Sequence, residues 1–423
     1  MAPLTVQIAA ILTADQFIKC CRPSDVHRNE RLNRECNFYP GTTVDAGWWT
    51  KAEQLDPQQA HIVNKVGVDD SFLVTGGPGS GKTNILLLRA QYLYLKRFKN
   101  VVVLTVGRSL TEFIRTGVAV KQVLEIDHIS THRQWSIDLI RQYRPTLLSE
   151  ATQGDFAQTS IRCADILSEI APELGPERYQ AILVDEVQDL SKQELDFMRK
   201  ITPRLILAGD GKQQLQAGKG IGSAFELGLQ VFDLPFHYRI GHAICTVADR
   251  ICPPIAPANS LFATCKYDEQ AMPSSAKLFP CASAEEQLDK LISAIKRQLK
   301  AYPNELIGVL VPSNNDIQRV KESLSTSDFA DVVGYHESGR DGDRSFNANQ
   351  RVCVVTVNSA KGLEFRATHL MFVEKLRSAR PEKLFTAVTR AKTSLAAYST
   401  GSVPPLLDAA FAEPAEPTLD DLF

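Results

Sequence analysis

The chain has 423 residues, with 47 Lys plus Arg against 49 Asp plus Glu, which gives a formal net charge of −2. Hydrophobic residues make up 44% and charged residues 23%, the ordinary globular range, which excludes a mainly disordered or fibrous chain. No apolar run reaches the roughly 18 residues of a membrane span, and the short apolar stretch at residues 8–12 lacks the basic region of a secretory signal.

The nine cysteines are odd in number, scattered, and never spaced as Cys-x-x-Cys. This usage is typical of reduced thiols in a cytoplasmic protein, and we expect that location. Cys20, Cys21, His27 and Cys36 could be assembled into a zinc site. Their spacing fits no standard zinc pattern, so buried thiols are the favoured interpretation.

Short apolar runs in the first half of the chain predict buried strands at residues 71–75, 101–106, 181–187 and 205–208. Between the first two runs, apolar residues recur at helical spacing, as at Ile85, Leu88, Tyr92 and Leu95. Strands that alternate with helices in this way predict a parallel sheet covered by helices on both faces.

The same alternation returns after a loop-rich stretch over residues 252–280. Strands are expected at residues 306–311, 352–357 and 369–373, and a helix at residues 384–392. The sequence therefore predicts an α/β protein with two parallel-sheet domains in tandem. We divide it into an N-terminal extension (1–50), a first domain (51–232), a second domain (233–400) and a flexible acidic tail (401–423).

The clearest motif fits G-x-x-x-x-G-K-[ST] and consists of Gly76, Gly77, Pro78, Gly79, Ser80, Gly81, Lys82 and Thr83. It follows a predicted strand and opens a predicted helix, which is the context of a phosphate-binding loop. Glycines let backbone N–H groups face phosphate oxygens, and the helix N-terminus adds positive potential. We expect Lys82 to bind the β and γ phosphates of a nucleotide, and Thr83 to bind Mg²⁺.

Two adjacent acids, Asp185 and Glu186, end a later predicted strand. Adjacent acids at this position are usually a solvated strand end. Beside a phosphate-binding loop they have a clearer use, because such loops need a metal carboxylate and a group that activates water. Asp185 is the predicted second Mg²⁺ ligand, and Glu186 is the predicted base.

The segment Asp185-Glu186-Val187-Gln188-Asp189 resembles the D-E-x-Q-D box of superfamily 1 helicases of the UvrD/Rep/PcrA type. Six further segments resemble boxes of that family and follow its order: residues 55–59 (Q motif), 131–132 (T-F/H-S), 209–213 (G-D-x-x-Q), 238–239 (Y-R), 356–365 (T-x-H-S-x-K-G-L-E-F) and 387–392 (A-x-T-R-A-K). The resemblance spans residues 55–400, and the shared order of the boxes makes it specific.

The resemblance implies two RecA-like domains with ATP and Mg²⁺ in the cleft between them. It places Gln59 at adenine, Glu364 at the ribose and Gln213 at the γ-phosphate. Arg239 and Arg390 are expected to reach across from the second domain and neutralise transition-state charge. The implied catalytic residues are Lys82, Asp185, Glu186, Gln213, Arg239 and Arg390. The family's motors walk 3′ to 5′ along single-stranded DNA, and RNA is the alternative polymer.

Several positions depart from the family pattern. Val106 stands where the family usually has Phe, Asn358 replaces the box His, and residues 214–219 contain no aromatic side chain. Since stacking contributes about 1–3 kcal/mol per base, the predicted grip on bases is weakened. Trp48, Trp49, Trp135 or Tyr238 could replace a stacking platform, although buried packing is favoured for each.

The large helical insertions of the family are nearly missing. Only residues 141–177 in the first domain and a short 329–350 loop in the second are available for them. We therefore expect a compact motor that unwinds duplex weakly or not at all when it works alone.

The last residues, 418–423, resemble the Q-L-x-D-L-F peptide by which bacterial replication proteins dock on a sliding clamp. Leu419, Leu422 and Phe423 would be the anchors for such a protein partner. The alternative is an acidic, solubilising tail.

Two functions follow from these observations. The first is an ATP-dependent single-stranded DNA translocase that acts in repair, replication or defence. The second is a nucleotide-gated ATPase subunit or regulator that hydrolyses ATP without processive unwinding, which the thinned base-stacking positions favour.

Overall fold

The computed structural model describes residues 55–121, 126–154, 156–210, 221–337, 349–377 and 379–412. These residues form two α/β domains, each built on a six-stranded sheet whose strands all run parallel. The predicted fold class is therefore confirmed, and the two sheets are the scaffolds of tandem RecA-like domains.

The first sheet has the strand order β3-β2-β4-β5-β1-β6. Its strands are β1 (Phe72–Gly76), β2 (Val101–Thr105), β3 (Ile129–Thr131), β4 (Ala181–Val184), β5 (Leu205–Gly209) and β6 (Gln230–Leu234). β1 lies between β5 and β6, and β4 lies beside β5, so the loops that follow β1, β4 and β5 leave the same edge of the sheet.

The second sheet has the strand order β7-β12-β11-β8-β10-β9. Its strands are β7 (Ser275–Cys281), β8 (Ile307–Val311), β9 (Val333–His336), β10 (Val352–Thr356), β11 (Phe365–Leu370) and β12 (Ala391–Thr400). β12 pairs with β7 over its last seven residues and with β11 on its other side.

The helices that the first domain contributes are α1 (Pro57–Asn64), α2 (Lys82–Leu95), α3 (Arg108–Lys121), α4 (His132–Tyr143), α5 (Leu148–Thr152), α6 (Phe156–Leu174), α7 (Lys192–Ile201) and α8 (Ile221–Phe225). Those that follow are α9 (His242–Ile251), α10 (Ala284–Ala301), α11 (Asn314–Leu324), α12 (Pro381–Val388) and α13 (Pro405–Phe411). None of the helices in the described ranges is both long and apolar enough to cross a membrane.

Alternate residues of each central strand enter different cores, as expected for a sheet covered on both faces. In β4, Ile182 and Val184 join the core that contains α4, α6 and α7, whereas Ala181 and Leu183 join the core that contains α2 and α3. Strand β10 divides its side chains between two cores in the same way. Both faces of these central strands are therefore covered by apolar side chains.

The structure corrects several predicted elements in the second domain. The helix expected over residues 384–392 ends at Val388, and Ala391 begins the longest strand. The loop-rich stretch 252–280 runs into β7, and the 329–350 loop contains β9. The strand expected over residues 369–373 begins earlier, at Phe365, and ends at Leu370.

The tail predicted to be flexible from residue 401 begins with an ordered helix, α13. Leu407 and Ala410 of this helix are buried against the second domain, and Arg250 donates to the Ala410 carbonyl at 3.1 Å. Apolar burial explains why these residues fold. The clamp-like residues Leu419, Leu422 and Phe423 lie outside the described residues.

Candidate active site

The phosphate-binding loop follows β1, as predicted, and Lys82 begins α2 directly after it. Gly79 (φ 74°) and Gly81 (φ 90°) adopt the left-handed backbone conformation that glycine tolerates best. Lys82 Nζ donates to the carbonyl oxygens of Gly76 and Gly77, each at 2.9 Å. The amine thus lies against the start of the loop, where the predicted phosphates would compete for it.

Gln59, predicted to read adenine, holds this loop from the other side. Its Nε2 donates to the Ser80 carbonyl oxygen at 2.9 Å, and its Oε1 accepts from the Asp56 N–H at 3.2 Å. The second bond is half of a capping box that starts α1. The side chain is buried, so Gln59 ties α1 to the phosphate-binding loop.

Asp185 follows β4 and reaches the loop directly. Thr83 Oγ1 donates to Asp185 Oδ2 at 2.6 Å, although the two residues are 102 positions apart. Burial, together with the neighbouring Glu186, raises the pKa of Asp185 to about 6. A hydroxyl and a carboxylate at this spacing form an oxygen-rich pair of the kind that Mg²⁺ prefers.

Glu186 adopts a left-handed backbone conformation (φ 56°), which costs a non-glycine residue about 1–2 kcal/mol. Such conformations cluster at active sites, where the surrounding structure enforces them. Burial alone would raise the pKa of Glu186, but Lys361, Lys82 and Arg390 lower it below its ordinary value. The Gln188 amide also donates to Glu186 Oε2. The residue predicted to be the base is therefore held as an anion.

Lys361 comes from the second domain and carries a contact that the sequence did not indicate. Its Nζ pairs with Asp189 and lies 3.7 Å from Glu186 Oε2. The side chain is only 14% exposed. Burial alone would lower the pKa of Lys361, but the two carboxylates raise it above its usual value. A charge from the second domain thus stabilises the D-E-x-Q-D box of the first.

Arg239, the first of the two predicted arginine fingers, is held by an acid of its own domain. Arg239 Nη1 donates to Glu364 Oε2 at 2.7 Å, and Lys392 Nζ lies 3.7 Å from the same oxygen. Burial would raise the pKa of Glu364, but Arg239 and Lys392 lower it to about 2. Glu364, predicted to bind the ribose, is therefore a permanent anion that orients Arg239.

Arg390 is buried and held by its own domain. Its guanidinium donates to the Thr386 carbonyl at 2.9 Å and the Leu363 carbonyl at 3.1 Å. Burial lowers the pKa of Arg390 below its ordinary value, although Glu186 and Glu364 act in the opposite direction. The guanidinium keeps its positive charge, which helps to lower the pKa of Glu186, the predicted base.

The phosphate-binding loop also contacts the second domain directly. The Tyr238 N–H donates to the Gly79 carbonyl oxygen at 3.4 Å, and Tyr238 Oη donates to Asp56 Oδ2 at 3.0 Å. A Cβ placed on Gly79 would lie 3.2 Å from Ile240 Cγ1 and 3.6 Å from Arg239 Cβ. The Y-R box therefore packs on the loop.

Some predicted residues are not brought to this site. Gln213 and the stretch 214–219 lie outside the described residues, as do Trp48, Trp49 and the Cys20, Cys21, His27 and Cys36 set. Trp135 is 6% exposed and packs against Tyr179 and Phe197, so it is core packing and not a stacking platform for bases. Tyr238, the other candidate stacking platform in the described part of the chain, is 39% exposed.

The fold and the loop define a P-loop protein with tandem RecA-like domains. Residues 59–219 match the family model described as an AAA domain, and residues 351–398 match the model described as a UvrD-like helicase C-terminal domain. These two matches support the assignment of the chain to the UvrD-like superfamily 1 helicases. The chain is a helicase-type motor of a nucleotide-binding, ATP-hydrolysing class.

Solved structures similar to this chain include two helicase structures. The C-terminal domain of a possible DNA helicase from Lactobacillus plantarum WCFS1 is 18% identical, with a TM-score of 0.29, over 41% of this chain and 93% of that one. The PRRSV helicase is 16% identical, with a TM-score of 0.37, over 85% of this chain and 57% of that one. No curated protein sequence matches the chain.

Proposed function

We propose that this protein hydrolyses ATP and uses the energy to translocate along single-stranded DNA. The observation that carries the proposal is the 2.6 Å bond between Thr83 and Asp185, because it joins the phosphate-binding loop to the D-E-x-Q-D box at one point. Glu186 follows Asp185 directly in the chain, and Arg239 and Arg390 belong to the second domain. The proposed polarity is 3′ to 5′, by family.

The residues present fit a Mg²⁺–nucleotide ligand. Ser80 Oγ, within the described part of the chain, is buried without a hydrogen-bond partner, and Lys82 is bonded only to loop carbonyls that a phosphate would replace. Thr83 and Asp185 would hold Mg²⁺. When bound, this ion supplies neutralisation of charge on the β and γ phosphates.

Glu186 is the proposed general base. Its depressed pKa keeps it ionised at neutral pH, so it can orient the attacking water and accept its proton. Arg239 and Arg390 would stabilise the charge that develops on the transferred phosphoryl group. Groups of this kind contribute about 10³–10⁵ in rate, so hydrolysis would depend on the second domain being in place.

Translocation needs two arrangements of the domains that a nucleotide can bias. The cross-cleft contacts that would break on opening include polar ones: Lys361 with Asp189 and Glu186, and Tyr238 with Gly79 and Asp56. Ion pairs and hydrogen bonds of this kind can reform with each ATP, which suits a cycling element.

The discriminating experiment measures steady-state ATP turnover by the full-length protein with no polymer, with single-stranded DNA, with duplex DNA and with RNA. Stimulation by single-stranded DNA, lost at high salt because phosphate contacts are screened, supports the proposal. Stimulation by RNA alone would reassign the polymer. Polymer-independent turnover would contradict translocation.

A second candidate is a nucleotide-gated ATPase subunit or regulator that does not walk. It is favoured by Val106 and by the absence of aromatic residues at 214–219, which remove base-stacking positions. Polymer-independent turnover in the same assay would support it. Under either function we propose weak unassisted unwinding, which a strand-displacement assay on a 3′-tailed duplex tests.

The carboxyl-terminal peptide is a separate proposal. Leu419, Leu422 and Phe423 would dock on a sliding clamp as a short extended peptide. Deleting Leu422 and Phe423 should abolish binding to purified clamp while ATP turnover stays unchanged. Equal clamp binding by the truncated and full-length chains would identify the peptide as a solubilising tail.

A further inference from the structure

Three side chains of types that commonly bind metals lie close together beside the segment that carries Arg239. His237, Cys245 and Cys265 bring one ligand atom each to within 4.8 Å of the others. His237 directly precedes the Y-R box, Cys245 lies on α9, and Cys265 pairs with His237 through an isolated parallel bridge. His237 and Cys245 are buried, and Cys265 is partly exposed.

Backbone contacts fix the orientation of all three groups. Both thiols donate to the Ile240 carbonyl oxygen, at 3.5 Å from Cys245 Sγ and 3.1 Å from Cys265 Sγ. His237 Nε2 donates to the Leu261 carbonyl oxygen at 2.7 Å and lies 3.8 Å from Cys245 Sγ. Metal-binding histidines make such a bond from the ring nitrogen that does not bind the ion, so while Nε2 bonds to Leu261 the ligand atom is Nδ1.

We propose that His237, Cys245 and Cys265 form a binding site for a zinc-class divalent ion. Two cysteines and one histidine are a set that Zn²⁺ binds with tetrahedral geometry. Bond lengths of about 2.3 Å to sulfur and 2.0–2.1 Å to nitrogen place such ligand atoms about 3.5–3.8 Å apart. Since the three atoms lie within 4.8 Å of one another, each pair needs to close by no more than about 1.3 Å.

Charge balance also suits this buried position. On binding, each thiol releases its proton to solvent, and two thiolates with a neutral imidazole around a divalent ion carry no net charge. A neutral assembly avoids the large cost of burying an unpaired charge. The Ile240 carbonyl oxygen, which both thiols already approach, or a water molecule would complete the fourth position.

The site would act on the cleft through Ile240. Its carbonyl faces the two sulfurs, while its side chain faces the phosphate-binding loop at Gly79. An ion here would fix the segment from His237 to Ile240, and with it Arg239, against the loop. Metal binding itself does not rest on the proposed ATP hydrolysis, so the two can fail independently.

The test uses the full-length protein, kept reduced with a phosphine and stripped of metal, and titrated with Co²⁺ and then with Zn²⁺. We expect one Co²⁺ per chain, with a sulfur-to-cobalt charge-transfer band and the strong visible bands of tetrahedral cobalt. Zn²⁺ should bleach these bands and raise the melting temperature. With all thiols reduced, the absence of charge-transfer absorption would overturn the proposal.

Variants locate the ion. Cys265→Ser changes a partly exposed ligand and should weaken Co²⁺ binding at least about 100-fold, and His237→Gln should shift the visible bands. Cys245→Ala provides a second sulfur variant in which loss of the band can be checked against an intact fold by circular dichroism. Cys252→Ser is the control, because Cys252 caps the same helix outside the cluster. Equal binding by wild type and Cys265→Ser would place the ion elsewhere and overturn the site.

Discussion

Lys361 Nζ lies 3.7 Å from Glu186 Oε2, and these two residues belong to opposite domains. The same ammonium pairs with Asp189, so one side chain of the second domain holds two acids of the D-E-x-Q-D box. The pair is largely shielded from solvent, where screening by salt is weak. The electrostatics of the proposed base are thus set partly by a residue of the other domain.

Lys361→Met should therefore lower turnover and change its pH dependence. Removing the cation takes away a main factor that holds the pKa of Glu186 below its ordinary value, so that pKa should rise. Since the proposed mechanism requires ionised Glu186, the acid limb of kcat against pH should move to higher pH. The measurement is the pH profile of ATP turnover from pH 5 to 9.

Lys192→Met is the matched control for that variant. Lys192 also pairs with an acid, Glu226, but both side chains are more than half exposed. Exposed pairs contribute about 0–1 kcal/mol, so turnover and its pH profile should match those of wild type. Superimposable profiles for Lys361→Met and Lys192→Met would show that Lys361 does not tune the base.

Glu186→Gln should bind ATP with near-normal affinity and hydrolyse it about 10²–10⁴-fold more slowly, because a general base contributes about that factor. Gln keeps the size of the side chain but cannot accept the proton from water. Nucleotide binding is measured by calorimetry, and turnover by phosphate release. Normal turnover would remove Glu186 from its proposed role.

Replacing Arg239 and replacing Arg390 should affect the stability of the protein to different extents. Arg239 is partly accessible and bonds to a side chain, Glu364, whereas Arg390 satisfies the buried carbonyls of Leu363 and Thr386. Arg239→Ala should lose about 10³-fold or more in turnover, with a smaller drop in melting temperature than Arg390→Ala because Lys392 still lies near Glu364.

Arg390→Ala should lose activity and also stability, because each unsatisfied buried carbonyl costs about 1–3 kcal/mol. Thermal unfolding and turnover, measured on both variants, test this difference. Equal melting temperatures for the two would contradict the structural role of Arg390.

The sequence indicated where the glycine-rich loop and Asp185 lie, because both belong to short local motifs at strand ends. Thr83 and Asp185 meet as the strand order requires. The role of Lys361 was missed because it depends on how the two domains face each other. The cluster of His237, Cys245 and Cys265 was missed because its members are separated in the chain and match no spacing rule.

The wrong predictions of secondary structure in the second domain have a similar origin. Strand β12 contains three alanines, two serines and two threonines, and no valine or isoleucine. This composition carries a weak strand signal, and the preceding helix α12 made continuation plausible. Tertiary pairing decides the outcome, since β12 lies between β7 and β11. Helix α13 was missed because its burial depends on a surface of the second domain.

Acid should destabilise the protein partly through His369. Burial, helped by Arg297, lowers the pKa of this imidazole to about 3, against about 6.5 in an unfolded chain. Between these values the unfolded state binds more protons, so stability falls as pH falls. From pH 6.5 to 4.5 this group should cost about 2–3 kcal/mol.

The unfolding free energy of His369→Gln should therefore fall less than that of wild type between pH 7.5 and 4.5, even if the variant is less stable at pH 7.5. Tyr398→Phe is the control, because it removes the hydroxyl that lies 3.0 Å from His369 Nδ1 but keeps the imidazole. That variant should retain the wild-type pH dependence. Urea unfolding at the two pH values measures both, and identical slopes for all three proteins would rule out His369.

Gly79→Ala tests whether close contact between the phosphate-binding loop and the Y-R box is required. The residue has φ 74°, and its new methyl group would lie 3.2 Å from Ile240 Cγ1, so that side chain must give by a few tenths of an ångström. Gly175→Ala is the matched control, with φ 73° and open space around the position. Both variants should lose about 1–2 kcal/mol of stability from the left-handed backbone. Only Gly79→Ala should also lose ATP turnover, because only there does the new methyl group disturb the packing of Ile240, the neighbour of Arg239, on the loop. If both variants kept wild-type turnover, contact between the loop and the Y-R box would be dispensable for hydrolysis.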